Sequence, residues 1–233
     1  MGHKMKFLLT NDDGIDAPGL ATLEQALTPL GDCVVVAPAV AHSGCSHQVT
    51  SHDLLKITTM GIGRYAIDGT PADCVRLGIL HVVPDADWVI AGVNDGGNLG
   101  VDVYMSGTVA AAREATLLGK PALAFSQYRR QQQVCDWSAS MLMVRRVFED
   151  LQDRPLTPHV LWNVNFPDPA NEPPIVHCQL DPSHLPVRYE DEGGTFRYQR
   201  GNYHQRDRIP GADVDVCFSG GIAVSEVYPP WPI

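Results

Sequence analysis

Two adjacent carboxylates, Asp12 and Asp13, follow the apolar run Phe7-Leu8-Leu9 in the stretch Thr10-Asn11-Asp12-Asp13-Gly14. Side by side at the end of a buried strand, such a pair repels itself unless a cation lies between the two groups. Mg2+, Mn2+ and Ca2+ prefer carboxylate, hydroxyl and amide oxygens. Ser43, in His42-Ser43-Gly44-Cys45-Ser46, and Asn94, in Gly92-Val93-Asn94-Asp95-Gly96-Gly97-Asn98-Leu99-Gly100, offer neutral oxygens of that kind. Asn-Asp-Asp-Gly is also good chemistry for an Asx turn. A second constellation, Ser106-Gly107-Thr108, opens an Ala-rich stretch. Free amides and the positive end of a helix favour an anion there, Gly107 permits close approach, and both hydroxyls can donate. A plain Ser or Thr cap leaves the same signature. Metal loop and anion-binding helix complement each other for phosphate chemistry: a metal polarises one phosphoryl oxygen while amides hold the rest.

Loops like these need a rim to share. Short, mostly continuous apolar runs recur at Phe7-Leu8-Leu9, Cys33-Val34-Val35-Val36, Trp88-Val89-Ile90-Ala91, Ala122-Leu123-Ala124-Phe125 and Val160-Leu161-Trp162-Asn163-Val164. Strands buried on both faces read this way. Between them lie helix-like stretches at 18–27, 72–80, 107–118 and 136–151, with Thr70 and Pro71 placed as cap and first turn of the second. The alternation implies an α/β fold with right-handed crossovers and a mostly parallel sheet covered on both faces. Ligands then sit at the carboxyl ends of the strands, where these loops emerge. The final third is dense in Pro, Gly and charge. Tyr189 to Arg208 alternates polar and aromatic residues around Gly-Gly and Gly-Asn turn signals, which predicts exposed hairpins suited to assembly.

Composition limits the function. The chain has 233 residues, 17 basic and 27 acidic side chains, and a formal net charge of −10. That argues against a nucleic-acid binder, which relies on clustered Lys and Arg. The six cysteines are scattered, without a CxxC pair, and read as reduced thiols of a cytoplasmic protein. No apolar stretch approaches the roughly 18 residues of a membrane span. Met1 to Met5 lacks the apolar core of a signal peptide and reads as a short extension before a start at Met5.

Five ordered blocks carry a resemblance. Leu9 to Ile15, Ser43 to Ser46, Asp68-Gly69-Thr70-Pro71-Ala72-Asp73-Cys74-Val75, Gly92 to Gly100, and Tyr104 to Ala112 resemble the SurE family of stationary-phase survival proteins, and the likeness extends to Asn163-Val164-Asn165-Phe166-Pro167. The resemblance implies a Rossmann-like three-layer core over residues 1–166. It implies a β-rich C-terminal arm over residues 167–233 that completes the same domain and builds homodimers or homotetramers. It further implies metal-dependent hydrolysis of nucleoside 5'- and 3'-monophosphates. One divalent ion per subunit, Mg2+ or Mn2+ with Ca2+ as a further possibility, would rest on Asp12, Asp13, Ser43 and Asn94, with catalysis carried by the two aspartates. Asn11, Asn98, Ser106, Gly107 and Thr108 would line the phosphate site. Asp95 stands where the family usually has a basic residue, His42 where it often does, and Gly221 where a Tyr is common. Asp95 motivates an alternative substrate such as short polyphosphate or another phosphomonoester. A non-catalytic nucleotide sensor is the rival from another class.

Overall fold

The computed structural model describes residues 4–130, 134–154, 157–168, 172–185, 187–200 and 203–228. In chain order the elements are β1 (Met5–Thr10), α1 (Pro18–Leu27), β2 (Gly31–Pro38), β3 (Ile57–Gly61), β4 (Arg64–Ile67), α2 (Pro71–Leu77), β5 (Trp88–Asp95), α3 (Gly107–Leu117), β6 (Ala122–Gln127), α4 (Trp137–Leu151), β7 (Leu161–Phe166), β8 (Ile175–His177), β9 (Val187–Asp191), β10 (Phe196–Arg200), α5 (Asp213–Phe218) and β11 (Ile222–Val227).

The central strands obey the two-residue period of a pleated sheet. Phe7 and Leu9 of β1, with Trp88 and Ile90 of β5, join the core under α1 and α4. Leu8, Val89 and Ala91 point the other way, under α2 and α3. Phe148 of α4 meets the edges of Phe7 and Trp88 at 5.2 and 5.7 Å. Buried alanines along α3 let it lie close to the sheet. At Gly19 of α1 an added Cβ would come 1.9 Å from the Val93 carbonyl oxygen, so only glycine fits this helix against β5.

One sheet of nine strands runs β3-β4-β2-β1-β5-β6-β7-β11-β8. From β4 to β7 every neighbouring pair is parallel. From β1 the chain steps outward to β2 on one side, and from β5 it steps outward to β6 on the other. The crevice between the carboxyl ends of β1 and β5 is therefore the switch point at which open α/β sheets bind ligands.

Three features differ from the sequence reading. The second helix stops at Leu77 and continues as a wider turn over Gly78–Val82. The fifth strand runs on to Asp95, so Asn94 sits on a strand end rather than in a loop. The final third is also more than a polar arm: β11 pairs with β7 and β8, and Ile222 and Val224 enter the main core. The expected exposed hairpin is present as β9–β10. Residues 201 and 202, the expected Gly-Asn turn, lie outside the described residues.

Candidate active site

Asn11 builds the first loop. Its side-chain amide donates to the Gly14 carbonyl at 2.9 Å and its Oδ1 accepts the Gly14 N–H at 3.2 Å. Both ends of the amide shape the turn, which gives Asn11 a positioning task in the loop that carries Asp12 and Asp13. The turn presents Asp12 inward and Asp13 half-buried towards the β5 end.

Asp12 is buried, and its Oδ1 accepts the Thr108 hydroxyl. Burial pushes its pKa up to about 6; the Thr108 hydrogen bond opposes the rise and the neighbouring Asp13 charge adds to it. Asp13 is raised as well, first by burial, with Asp95 charge adding and the Asp95 N–H, at 3.2 Å from Oδ2, opposing. Among the described residues no ion pair reaches Asp12. The start of α3 lies directly on this carboxylate: a Cβ on Gly107 would come 2.9 Å from Asp12 Oδ2 and 3.0 Å from Cys45 Sγ. Thr108 thus orients Asp12 instead of reaching outward. Ser106 caps α3, its oxygen accepting the Val109 N–H at 3.0 Å while its own hydroxyl proton is left to donate.

The other predicted residues gather on the same rim. The His42 N–H donates to the Asp12 carbonyl at 2.7 Å, which brings the exposed Ser43 turn beside the first loop. Asn94 donates its amide to the Gly96 carbonyl at 2.8 Å, which leaves Oδ1 open to another partner. Asn98 is buried in an amide network: Nδ2 donates to Ser126 Oγ at 2.7 Å, and its carbonyl accepts from Asn163 and Asn165. Two carboxylates lifted by burial, a hydroxyl and an amide oxygen suit a hard divalent cation.

Sequence reading missed several contributors. Ser126, Asn163 and Asn165 hold the Asn98 loop; their signal is polar residues alternating inside an otherwise apolar strand end. Arg129 lies 2.8 Å from Asp95 and neutralises it, so Asp95 does not stand as an uncompensated charge. His47 pairs with buried Glu114 at 2.7 Å and Arg76 takes the other Glu114 oxygen at 2.6 Å, which pins the Ser43 loop to α3. His204, in the C-terminal segment, bonds the Tyr128 hydroxyl. Thr70 caps α2 with Pro71 in the first turn, as the sequence indicated, and Asp73 adds the reciprocal bond that makes it a capping box. All six cysteines are unpaired. No helix among the described residues is long and apolar enough to cross a membrane.

Residues 7–183 match the family model of survival protein SurE. A protein of Synechocystis sp. is 49% identical over 228 residues, 96% of this chain and 99% of its own length. The 5'-nucleotidase SurE of Geobacter sulfurreducens is 37% identical over 231 residues, covering 96% of this chain and 88% of the relative. The crystal structure of SurE protein from Aquifex aeolicus superposes with a TM-score of 0.83 at 30% identity, over 96% of this chain and 93% of that one. The α/β architecture with its mostly parallel sheet is shared with that structure.

Proposed function

The chain belongs to the SurE survival-protein family, and from that premise we propose that it is a metal-dependent hydrolase of nucleoside monophosphates, 5' and in part 3', yielding nucleoside and phosphate. One observation carries the reading: two carboxylates, both raised by burial, sit at the β1/β5 switch point against the start of α3. Asp12, Asp13, Ser43 and Asn94 would hold the cation, Mg2+ or Mn2+. When bound, such an ion supplies charge stabilisation at a phosphoryl oxygen and lowers the pKa of water.

The protein's own residues do the rest. Thr108 fixes the rotamer of Asp12, and the Asp95 N–H fixes Asp13. One carboxylate of the pair accepts the proton of the attacking water. The water oxygen joins phosphorus, the bond to the ribose oxygen breaks, and that oxygen leaves with a proton. Charge on the phosphoryl oxygens meets the Ser106 hydroxyl and the free amides at the start of α3. Asn98 holds the loop that leads into this helix.

Arg129 removes the reason to favour another substrate, because Asp95 is paired. Exposed Val187, Tyr189, Phe196 and Tyr198 on the β9–β10 hairpin support assembly into homodimers or homotetramers through that hairpin. The test is phosphate release from 5'- and 3'-monophosphates, a sugar phosphate and short polyphosphate, with Mg2+ or Mn2+ and with chelator. Metal-dependent turnover of the nucleotides is expected. Unchanged release after Asp12→Asn would sink the assignment.

A further inference from the structure

A short helical turn, Gly100–Tyr104, links Asn98 to Ser106. Its Asp102 carbonyl accepts the N–H of Met105 at 3.0 Å and of Ser106 at 3.1 Å, so the turn sets the backbone of the α3 cap directly. The side chain of Asp102 is held by the C-terminal segment. Its Oδ2 takes the Tyr203 hydroxyl and Arg206 Nη1, the latter at 2.9 Å. The guanidinium also lies over the Tyr203 ring, 5.2 Å from its centre.

Arg206 is unusual for a residue that merely stabilises. Its side chain is 0% exposed, yet Nε and Nη2 have no partner among the described residues. A buried charge so incompletely satisfied is expensive to keep. Its visible effect is on Asp102. The same turn is gripped elsewhere: Asp213 Oδ2 accepts the Gly100 N–H at 2.7 Å, and the Ser43 loop reaches it through Ser46, whose N–H and hydroxyl meet the Met105 and Tyr104 carbonyls at 3.1 and 2.6 Å.

We propose that Tyr203 and Arg206, acting through Asp102, are positioning residues by which the C-terminal segment sets the phosphate-binding start of α3. The inference rests on the nucleotidase reading, since it takes Ser106 and the α3 amides as the phosphate side of that site. The phosphate side meets the turn directly through the Ser106 N–H, whereas the proposed metal side meets it indirectly, through Thr108 on Asp12 and Ser46 in the Ser43 loop. Releasing Asp102 should therefore loosen phosphate recognition more than metal binding.

The deciding variant is Arg206→Met, with Tyr203→Phe, which deletes one hydroxyl, as the milder second. In the full-length protein, KM for a nucleoside 5'-monophosphate and Ki for inorganic phosphate should rise together, by about tenfold, less than the roughly 10²-fold that a full 1 Å misplacement can cost. The value of kcat should change less, Mn2+ affinity should fall less than phosphate affinity, and Arg206→Met should stay folded with a lowered melting temperature, because Asp102 loses the partner of its charge. Unchanged KM and Ki in folded variants would overturn the proposal, as would a parallel loss of Mn2+ affinity, which signals general loosening. If the unmodified protein released no phosphate from any monoester, the nucleotidase reading would fail. Stabilisation of the protein by inorganic phosphate, compared with that of Arg206→Met, would still test the positioning role: a weaker phosphate effect in the variant supports it, and an equal one overturns it.

Discussion

Asp12 and Asp213 are both buried carboxylates that burial pushes up to about 6, and their surroundings could hardly differ more. Asp213, at the start of α5, accepts three backbone N–H groups, from Gly100 at 2.7 Å, Asp181 at 2.8 Å and Val214 at 2.9 Å. Asp12 accepts the Thr108 hydroxyl and faces the like charge of Asp13. One carboxylate is a keystone whose acceptor capacity is filled. The other keeps capacity in reserve at the switch point of the sheet. Burial and a shifted pKa do not by themselves mark a site; unfilled acceptors beside a like charge do.

The sharpest way to break that contrast is to neutralise each carboxylate. Asp12→Asn should lower kcat by roughly 10³-fold or more, beyond the loss typical of a single stabilising donor. The fold should not suffer. A rise from the ordinary 3.8 to about 6 means that ionised Asp12 disfavours the metal-free folded state by about 3 kcal/mol at neutral pH, and the substitution removes this. Phosphate release and a melting curve on the same sample check both halves. Asp213→Ala should do the reverse. Three buried N–H groups lose their acceptor, at about 1–3 kcal/mol each. Set against about 3 kcal/mol regained with the ionised carboxylate gone, the net loss centres near 3 kcal/mol and lowers the melting temperature by roughly 6–12 °C in a chain of this size. A drop that large in Asp12→Asn, or none in Asp213→Ala, would reverse the roles assigned here.

The pH dependence gives a smaller effect. Both groups have folded-state pKa values above their unfolded ones, so their ionisation costs stability at high pH. Their contribution to the stability of metal-free protein should rise as pH falls through about 6 towards the unfolded value of 3.8, below which the charged forms fade in both states. A saturating divalent ion should remove the Asp12 share of this slope and leave the Asp213 share. Urea denaturation across that window, with and without Mn2+, measures it; an identical slope in both would mean that the ion does not bind at Asp12.

The two carboxylates were unequally legible in the sequence. Asp12 sits beside Asp13 at the end of a continuous apolar run, and the period-two strand and glycine-bounded loop announce its place. The parallel core from β1 to β7 was legible for the same reason: strands buried on both faces are written as unbroken apolar runs. Asp213 carries no such mark. Its partners, Gly100 and Asp181, are remote in sequence, and α5 is six residues long, too short for a helical period to show. The β3–β4 hairpin was missed because β3 is exposed along its length and has no apolar face to read. Within the site, residue types singled out the proposed cation donors, but direction was hidden. Nothing in Ser106-Gly107-Thr108 says that Thr108 turns to Asp12 while Ser106 caps the helix.

Asp95 refines the contrast by supplying a third kind of carboxylate, neither keystone nor reserve. It is 38% exposed on the side chain and pairs with Arg129, itself 37% exposed, at 2.8 Å. Such pairs are worth about 0–1 kcal/mol, so Asp95→Asn should shift stability by less than about 1 kcal/mol. Its electrostatic effect should be clearer. The substitution removes a negative charge from the Asp13 end of the site and releases Arg129 from neutralising it. Attraction for a phosphate dianion should rise, and KM for nucleotide should fall about two- to fivefold at low salt, with the gain fading as ionic strength passes about 0.15 M and the screening length drops to about 8 Å. Initial rates at two salt concentrations suffice to see it. A KM that rises instead would mean that Asp95 contributes to the site through its hydrogen-bonding geometry at Asp13, and the division between carboxylates that work and carboxylates that only surround them would have to be redrawn.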